Sequence, residues 1–289
     1  MIVRLKPYLE PKIWGSKKLK ERYLYEDDIP IGEAWGISMI QHKESIILDG
    51  DYQGMPFSIL FREKPELFGG LTGKFPLLIK IIDAHDDLSI QVHPKEGENE
   101  KNESWIILEA TKSAKIILGH KANSIEEFQK ALKQKKLSNI LVDVVVKKDD
   151  EYYINGGKLH GIGKGIELLE IQQASDTTYR VYDYNRLTND VARTLHLTEA
   201  FEVMSYPDKK IKREIKPHYF NAKKIVCDGE LSLISDQFGD YLYIVNGRGF
   251  IGGKEVKTYD FVFISSKEEY VVKGNLEIIK SNVIKGLTS

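Results

Sequence analysis

The chain has 289 residues, and its 42 lysine and arginine residues nearly balance its 43 aspartate and glutamate residues, giving a formal net charge of −1 at pH 7. This balance argues against nucleic-acid-binding and membrane-surface proteins, and a hydrophobic content of 42% excludes a disordered chain, so we expect a small-molecule substrate. The single cysteine, Cys227, excludes an internal disulfide and favours a reducing compartment, so we expect a cytoplasmic protein.

Short runs rich in Ile, Leu, Val and Tyr recur along the chain and are separated by Gly, Asp and Asn. They predict strands at 76–82, 88–93, 104–109, 115–119, 167–172 and 179–182. Helical spacing interrupts this pattern at 57–67, 124–134 and 198–204, where Ser124 is a candidate N-cap with Glu127 three residues later. The pattern therefore predicts a mainly β fold of sandwich or barrel type with a few added helices.

A basic, proline-ended stretch at residues 209–217 marks a change in composition, and it is more typical of a solvated connector than of a binding patch. Beyond it, further strands are predicted, with turns at Asn246-Gly247 and Gly252-Gly253. We therefore predict two domains, a catalytic domain at 1–208 and a smaller C-terminal β-sandwich at 209–289. No apolar run approaches the length of a bilayer, and the oligomeric state is not determined by the sequence.

The predicted strand at 88–93 places polar side chains at every second position. Strand alternation sends Ser89, Gln91 and His93 to one face and the apolar residues between them to the other. On spacing alone, a solvent-exposed polar face is the commoner explanation. Ligation of a metal would require partners from elsewhere in the chain.

Two such partners follow. Glu103 opens the next predicted strand, and His160 lies in the glycine-rich stretch 155–161. A lone histidine in a glycine-rich loop is more often a surface residue than a ligand. Two imidazoles, one carboxylate and the amide of Gln91 nevertheless form a nitrogen and oxygen set that suits zinc and leaves room for substrate or water.

A third polar segment runs from Glu170 to Arg186. Arg180 and Arg186 could bind a phosphate with their planar guanidinium groups, and Glu170 could orient a sugar hydroxyl or relay a proton. Ordinary surface arginines with acidic neighbours are the alternative.

These segments together resemble the type I phosphomannose isomerases, in particular the short bacterial form of this zinc-dependent cupin family. The similarity covers most of the first two thirds of the chain, at residues 11–15, 32–35, 75–80, 89–94, 101–105, 159–161 and 170–186. The combination is specific, although no single motif is. The remainder of the chain fits the family more loosely.

The resemblance implies a cupin-type double-stranded β-helix, or jelly roll. The C-terminal sandwich has His218 as its only histidine and no cluster of His and Glu in its strands, so we expect it to be structural and metal-free. The resemblance also implies a site in which Gln91, His93, Glu103 and His160 hold one Zn²⁺ per chain, Ser89 and Arg186 bind substrate, and Arg180, Lys101 and Glu170 are catalytic. Gly161-Ile162 departs from the Ala-Tyr of longer relatives, which leaves the breadth of substrate specificity open.

The implied reaction is the interconversion of mannose 6-phosphate and fructose 6-phosphate through an enediol, in which either Lys101 or Glu170 moves the proton. The sequence does not choose between these two residues. Two other functions remain as alternatives, a non-catalytic cupin that binds a sugar phosphate and an isomerase of another hexose phosphate.

Overall fold

A computed structural model describes residues 1–188, 190–208 and 220–284, so the predicted connector at 209–217 lies outside the described residues. The strands are β1 (Ile2–Lys6), β2 (Tyr8–Ser16), β3 (Ile31–Ile37), β4 (Ile46–Ile47), β5 (Leu77–Ala84), β6 (Ile90–Val92), β7 (Glu103–Ala110), β8 (Lys115–His120), β9 (Leu141–Val145), β10 (Glu151–Ile154), β11 (His160–Ile162), β12 (Ile166–Gln173), β13 (Tyr179–Tyr182), β14 (Leu187–Thr188), β15 (Val191–Ala192), β16 (Phe220–Ile234), β17 (Asp240–Ile251), β18 (Lys254–Lys257), β19 (Phe261–Ile264) and β20 (Glu269–Val283). The helices are α1 (Lys18–Arg22), α2 (Phe57–Glu63), α3 (Ile125–Lys133) and α4 (Leu197–Val203), with 3-10 helices at Pro65–Phe68 and Leu137–Asn139.

The strands form three large antiparallel sheets and a small hairpin. A six-stranded sheet has the order β10-β7-β12-β5-β3-β2, and a five-stranded sheet has the order β13-β6-β11-β8-β9. A seven-stranded sheet has the order β16-β20-β17-β19-β1-β4, with β18 added to β17, and β14 pairs with β15. The fold is thus the predicted mainly β, cupin-type jelly roll with a few added helices.

The six-stranded sheet lies in the middle and is buried on both faces. In β12, Leu169 and Ile171 belong to the same core as Phe261 of the seven-stranded sheet. The alternate residue Leu168 belongs to a second core, shared with Ile116 of the five-stranded sheet. Because successive side chains point to opposite faces, a strand covered on both sides needs apolar residues at consecutive positions. This burial explains the nearly continuous apolar runs of β5, β7 and β12.

On one face, polar residues interrupt these runs at neighbouring positions of three strands. Across the six-stranded sheet, Glu170 lies opposite Lys80 on one side and Trp105 on the other. Gln172 and Glu103 pair one step further along the same face. These polar side chains therefore occupy the interior between the six-stranded and five-stranded sheets, where an apolar core would otherwise be expected.

Most of the predicted elements are confirmed. The strand predicted at 88–93 is shorter, since β6 covers only Ile90–Val92. The helix predicted at 124–134 is α3, and its N-cap Ser124 accepts a hydrogen bond of 3.3 Å from the backbone N–H of Glu127. The helix predicted at 57–67 divides into α2 and a 3-10 helix at Pro65, which cannot donate the backbone hydrogen bond that a continuous α-helix needs.

One predicted turn is confirmed and the other is wrong. Gly252 and Gly253, with φ of 53° and 80°, connect β17 to β18 as expected. Asn246-Gly247 instead lies inside β17, where the pairing with β20 shifts by one residue between Ile244 and Asn246. Gly247 has φ of 101°, so the glycine serves a β-bulge and not a chain reversal.

The sheet formed mainly by the C-terminal part also contains two strands from the beginning of the chain. β1 pairs with β19 through Ile2↔Ile264 to Leu5↔Phe261, and it pairs with β4 on its other side. The predicted division into 1–208 and 209–289 stays a prediction. Within the described ranges, no helix is both long and apolar enough to cross a membrane.

Candidate metal centre

Three of the predicted ligands meet in the interior between the two sheets of the jelly roll. The Nε2 atoms of His93 and His160 are 3.1 Å apart. The carboxylate of Glu103 lies 3.2 Å from Nε2 of His93 and 3.5 Å from Nε2 of His160. All three side chains are buried, and one ligand atom of each lies within 4.8 Å of the others.

The glycine-rich stretch before His160 explains how two distant segments come so close. A Cβ atom on Gly156 would lie 2.2 Å from the carbonyl oxygen of Pro94, the residue after His93. The N–H of Gly157 donates to the carbonyl oxygen of His93 over 2.8 Å. His160 then pairs directly with Gln91 across β11 and β6. Glycine is thus needed here because the two backbones are in contact.

Hydrogen bonds fix the orientation of both imidazole rings. Nδ1 of His93 donates to the carbonyl oxygen of Thr177 over 3.0 Å, and Nδ1 of His160 donates to that of Lys158 over 2.8 Å. Since a carbonyl oxygen only accepts, the proton is on Nδ1 and the Nε2 lone pair faces the cluster. Metal-ligating histidines are typically held in this way.

Burial keeps the two imidazoles neutral. It lowers the pKa of His93 to about 3, with the positive charge of Lys101 adding to the effect. Burial also lowers the pKa of His160. Neutral imidazole is the form that binds metal, so both side chains are in the ligating state at neutral pH.

The carboxylate of Glu103 provides the test of whether these residues fit a metal ion. The side chain is 0% exposed, and among the described residues neither carboxylate oxygen has a hydrogen-bond partner of favourable geometry. Burial alone would raise the pKa of Glu103, but the charge of Lys101 and the nearby His93 hold it well below its usual value. A buried, charged carboxylate facing two nitrogen lone pairs is the arrangement that a divalent cation satisfies.

Gln91 lies beside these three residues, as predicted for the fourth ligand. Its amide nitrogen is 3.4 Å from Nε2 of His160, and its amide oxygen accepts a hydrogen bond of 3.2 Å from the hydroxyl of Ser89. Rotation of the amide group would present the oxygen to the cluster. The predicted ligand set of Gln91, His93, Glu103 and His160 is therefore contiguous in space.

Lys101 and Glu170, the two candidates for proton transfer, lie directly beside the cluster. Nζ of Lys101 is 3.0 Å from Oε2 of Glu103 and 3.9 Å from Oε1 of Glu170. Burial, followed by the negative charge of Glu103, raises the pKa of Glu170. Glu170 also accepts a hydrogen bond of 2.8 Å from the indole N–H of Trp105.

Two charged residues in this interior were given no role by the sequence analysis. Lys80 lies 3.0 Å from Glu170 and 3.1 Å from Glu33, so it connects the two carboxylates. Lys80 and Glu33 both fall in segments that carry the family resemblance, and a lysine inside the apolar run of β5 is itself a signal of a functional position. The burial of β5 on both faces could not be recognised without the neighbouring sheets.

Of the two arginines predicted to bind phosphate, Arg180 lies on the neighbouring strand β13 and Arg186 follows that strand. Arg180 pairs with Gln91 across β13 and β6, and its Nη1 donates to the carbonyl oxygen of Thr194 over 2.8 Å. Its Nε is buried and has no hydrogen-bond partner among the described residues. Arg186 is instead 2.5 Å from Asp183, which also binds Arg193, a residue that the sequence analysis did not single out.

Comparison with known proteins identifies relatives along almost the whole chain. The family model described as phosphomannose isomerase type I, catalytic domain, matches residues 2–115. The mannose-6-phosphate isomerase ManA of Bacillus subtilis is 40% identical over 307 aligned positions, which cover 96% of this chain and 98% of that protein. The mannose-6-phosphate isomerase of Streptococcus mutans is 41% identical over 213 positions, covering 70% of this chain and 67% of that protein.

Solved structures show the same architecture. A crystal structure of the mannose 6-phosphate isomerase from Bacillus subtilis superimposes with a TM-score of 0.90 at 32% identity, covering 97% of this chain and 99% of that chain. A structure described as mannose 6-phosphate isomerase bound with zinc and yttrium gives a TM-score of 0.75, covering 98% of this chain and 100% of that chain. Its identity of 14% supports a shared fold alone.

Proposed function

This chain belongs to the family of type I phosphomannose isomerases and is an enzyme of the mannose-6-phosphate isomerase class, and we propose that it interconverts mannose 6-phosphate and fructose 6-phosphate with one Zn²⁺ per chain. The observation that carries the proposal is the buried cluster of His93, Glu103 and His160, in which both Nε2 lone pairs face a carboxylate that has no hydrogen-bond partner of favourable geometry among the described residues.

His93, Glu103 and His160 would hold the ion, with the amide oxygen of Gln91 as a fourth ligand. Zinc is favoured because the donor set combines imidazole nitrogen with carboxylate and amide oxygen. A relative of the same fold is described as bound with zinc. A bound zinc ion would act as a Lewis acid, stabilising the negative charge that develops on the sugar oxygens during isomerisation.

Proton transfer between C1 and C2 of the sugar, through an enediol, falls to Lys101 or Glu170. The two side chains are 3.9 Å apart, so the charge on one influences the other. The raised pKa of Glu170 brings this carboxyl closer to the range in which it can both accept and return a proton. Lys80, 3.0 Å from Glu170, holds that carboxylate in place against the indole of Trp105.

Arg180 would bind the far end of the substrate. Its buried Nε lacks a hydrogen-bond partner in the part of the chain that the structure describes. Its strand lies next to the one that carries Gln91, so a phosphate bound here would place the sugar over the ligand cluster. Ser89, whose hydroxyl contacts Gln91, could add a hydrogen bond to the same phosphate. Holding the substrate at both ends positions C1 and C2 for reaction.

The test is an isomerase assay on purified enzyme of known zinc content, with mannose 6-phosphate and glucose 6-phosphate compared side by side. We expect turnover of mannose 6-phosphate that a chelator removes and added zinc restores. If the enzyme turns over glucose 6-phosphate but not mannose 6-phosphate, it is an isomerase of another hexose phosphate and the proposed substrate is wrong. Saturable binding without turnover would identify a non-catalytic sugar-phosphate-binding protein and contradict the proposal.

A further inference from the structure

Three arginines surround a single buried carboxylate at one side of the proposed active site. Asp183 is 5% exposed and accepts hydrogen bonds from both Arg186 and Arg193. Arg180 lies close enough that its pKa is lowered, first by burial and then by the positive charge of Arg193. A second carboxylate, that of Asp86, lies 3.8 Å from Nη1 of Arg186, so three guanidinium groups face two carboxylates. An excess of positive charge remains, which favours an anion.

Arg186 is already committed to protein acceptors. Its Nη2 donates to the carboxylate of Asp183 over 2.5 Å, and its Nε is 3.3 Å from the carbonyl oxygen of the same residue. Its Nη1 donates to the carbonyl oxygen of Asp87. All three guanidinium nitrogens therefore have protein partners, and a phosphate would have to displace at least one of them.

Arg193 is held differently. Its Nε and Nη2 bind the two oxygens of Asp183 over 2.7 and 2.5 Å, a bidentate contact that fixes the plane of the guanidinium group. Within residues 1–188, 190–208 and 220–284, its Nη1 has no hydrogen-bond partner. The side chain is 20% exposed, so this nitrogen can reach a ligand from solvent.

The surroundings of Arg193 place it at the site and not on an unrelated surface. Its guanidinium carbon lies 5.3 Å from the centre of the Trp14 ring, and the ammonium of Lys12 lies 5.5 Å from the same centre. Lys12 in turn is 3.5 Å from Glu33, the partner of Lys80 in the interior. Trp14 thus connects Arg193 to the charged network that reaches Glu170.

We propose that Arg193 binds the phosphate group of the substrate together with Arg180, and that Arg186 is a positioning residue that shares Asp183 with Arg193. The proposal rests on the proposed function, since it assigns the phosphate of a hexose phosphate to these side chains. It also revises the direct phosphate contact that the sequence suggested for Arg186.

The experiment compares Arg193→Gln, Arg193→Lys and Arg186→Gln in the zinc-loaded enzyme, with Arg248→Gln as a matched control, because Arg248 is 74% exposed in the C-terminal sheet and paired with Glu255. Inorganic phosphate is the probe, measured as a competitive inhibitor of isomerisation and by calorimetric binding. We expect Arg193→Gln to weaken phosphate binding and raise KM about ten- to hundredfold, the effect of losing a charged hydrogen bond. Arg193→Lys should recover part of this loss, and Arg186→Gln should weaken phosphate binding less.

The outcomes separate this inference from the proposed function. Suppose that the wild-type enzyme isomerises mannose 6-phosphate. The role of Arg193 is then overturned if Arg193→Gln binds phosphate as tightly as wild type, or if its loss of phosphate affinity is no larger than that of Arg186→Gln. If the wild-type enzyme does not turn over the substrate, the proposed function fails, while calorimetry still reports whether phosphate binding depends on Arg193. A variant too inactive to assay is judged by calorimetry, with zinc content confirming that the site is intact.

Discussion

Two buried carboxylates, Glu103 in the jelly roll and Asp240 in the C-terminal sheet, are both 0% exposed but have opposite hydrogen-bonding environments. Asp240 accepts from the hydroxyl of Tyr270 over 2.7 Å, from the ammonium of Lys280 over 2.5 Å and from the amide of Asn282 over 2.6 Å. Glu103 has no hydrogen-bond partner of favourable geometry among the described residues.

This difference distinguishes a structural polar cluster from a ligand site. A buried polar group without a hydrogen bond costs free energy, so such a group at a candidate ligand site favours a ligand that would supply the missing contact. The oxygens of Asp240 are satisfied by protein donors, whereas a metal-free C-terminal sheet stays a prediction. Glu103, by contrast, has the ammonium of Lys101 at 3.0 Å and faces two imidazole nitrogens, an arrangement to which a bound cation would add the missing ligand contacts. Substitutions in the two clusters should therefore affect different properties.

The largest effect is expected from His160→Ala. Removing one of the two imidazoles should abolish stoichiometric zinc binding and lower kcat/KM by at least about a thousandfold, because the three remaining ligands cannot hold the ion. Zinc content by atomic absorption and a coupled isomerase assay measure both quantities. The exposed His85→Ala is the matched control and should retain both. Stoichiometric zinc in His160→Ala would refute the assignment of this ligand.

Asp240→Ala should have the complementary effect. It leaves the ammonium of Lys280, which is 6% exposed, buried without its carboxylate, and breaking a buried pair in this way costs about 3–5 kcal/mol of unfolding free energy. Zinc content and kcat/KM of the folded variant should match wild type. Urea unfolding measures the loss, and Asp240→Asn combined with Lys280→Met should recover part of it. A variant of unchanged stability, or one that loses zinc while folded, would contradict the separation of the two clusters.

The smallest effect at neutral pH concerns Glu33, which connects the interior network to Lys12. Burial opposes its ionisation, but the charges of Lys80 and Lys12 lower its pKa from 4.5 to about 2. Because the folded-state pKa is depressed, this carboxylate stabilises the fold fully above pH 4.5, and the contribution of about 3 kcal/mol is lost as the pH falls towards 2.

Unfolding free energies measured from pH 6 to pH 2 test this expectation. The wild-type curve should fall over that interval more steeply than the curve of Glu33→Gln, whose side chain does not titrate. Parallel curves for the two proteins would show that Glu33 does not contribute to acid sensitivity.

The sequence was sufficient for the fold class and the ligand cluster, but not for the charges around it. Alternation placed Ser89, Gln91 and His93 on one face, but it was the family resemblance that pointed to His93, Glu103 and His160 as ligands, and the structure brings these three side chains together. The role of Arg193 could not be found, because it depends on Asp183 and Trp14, which approach it only in the folded chain. Asn246-Gly247 was misinterpreted for a related reason: a glycine with positive φ serves a hairpin or a bulge equally well, and only the partner strand decides.

The position of β1 has a consequence for biosynthesis. On one side, β1 pairs with β19, more than 250 residues later in the chain, through contacts such as Ile2↔Ile264. This pairing must therefore wait until translation has passed residue 264. The segments between residues 91 and 160 that carry the candidate ligands emerge well before that step, so the nascent chain can bring these ligands together while β1 has only β4 as a neighbour.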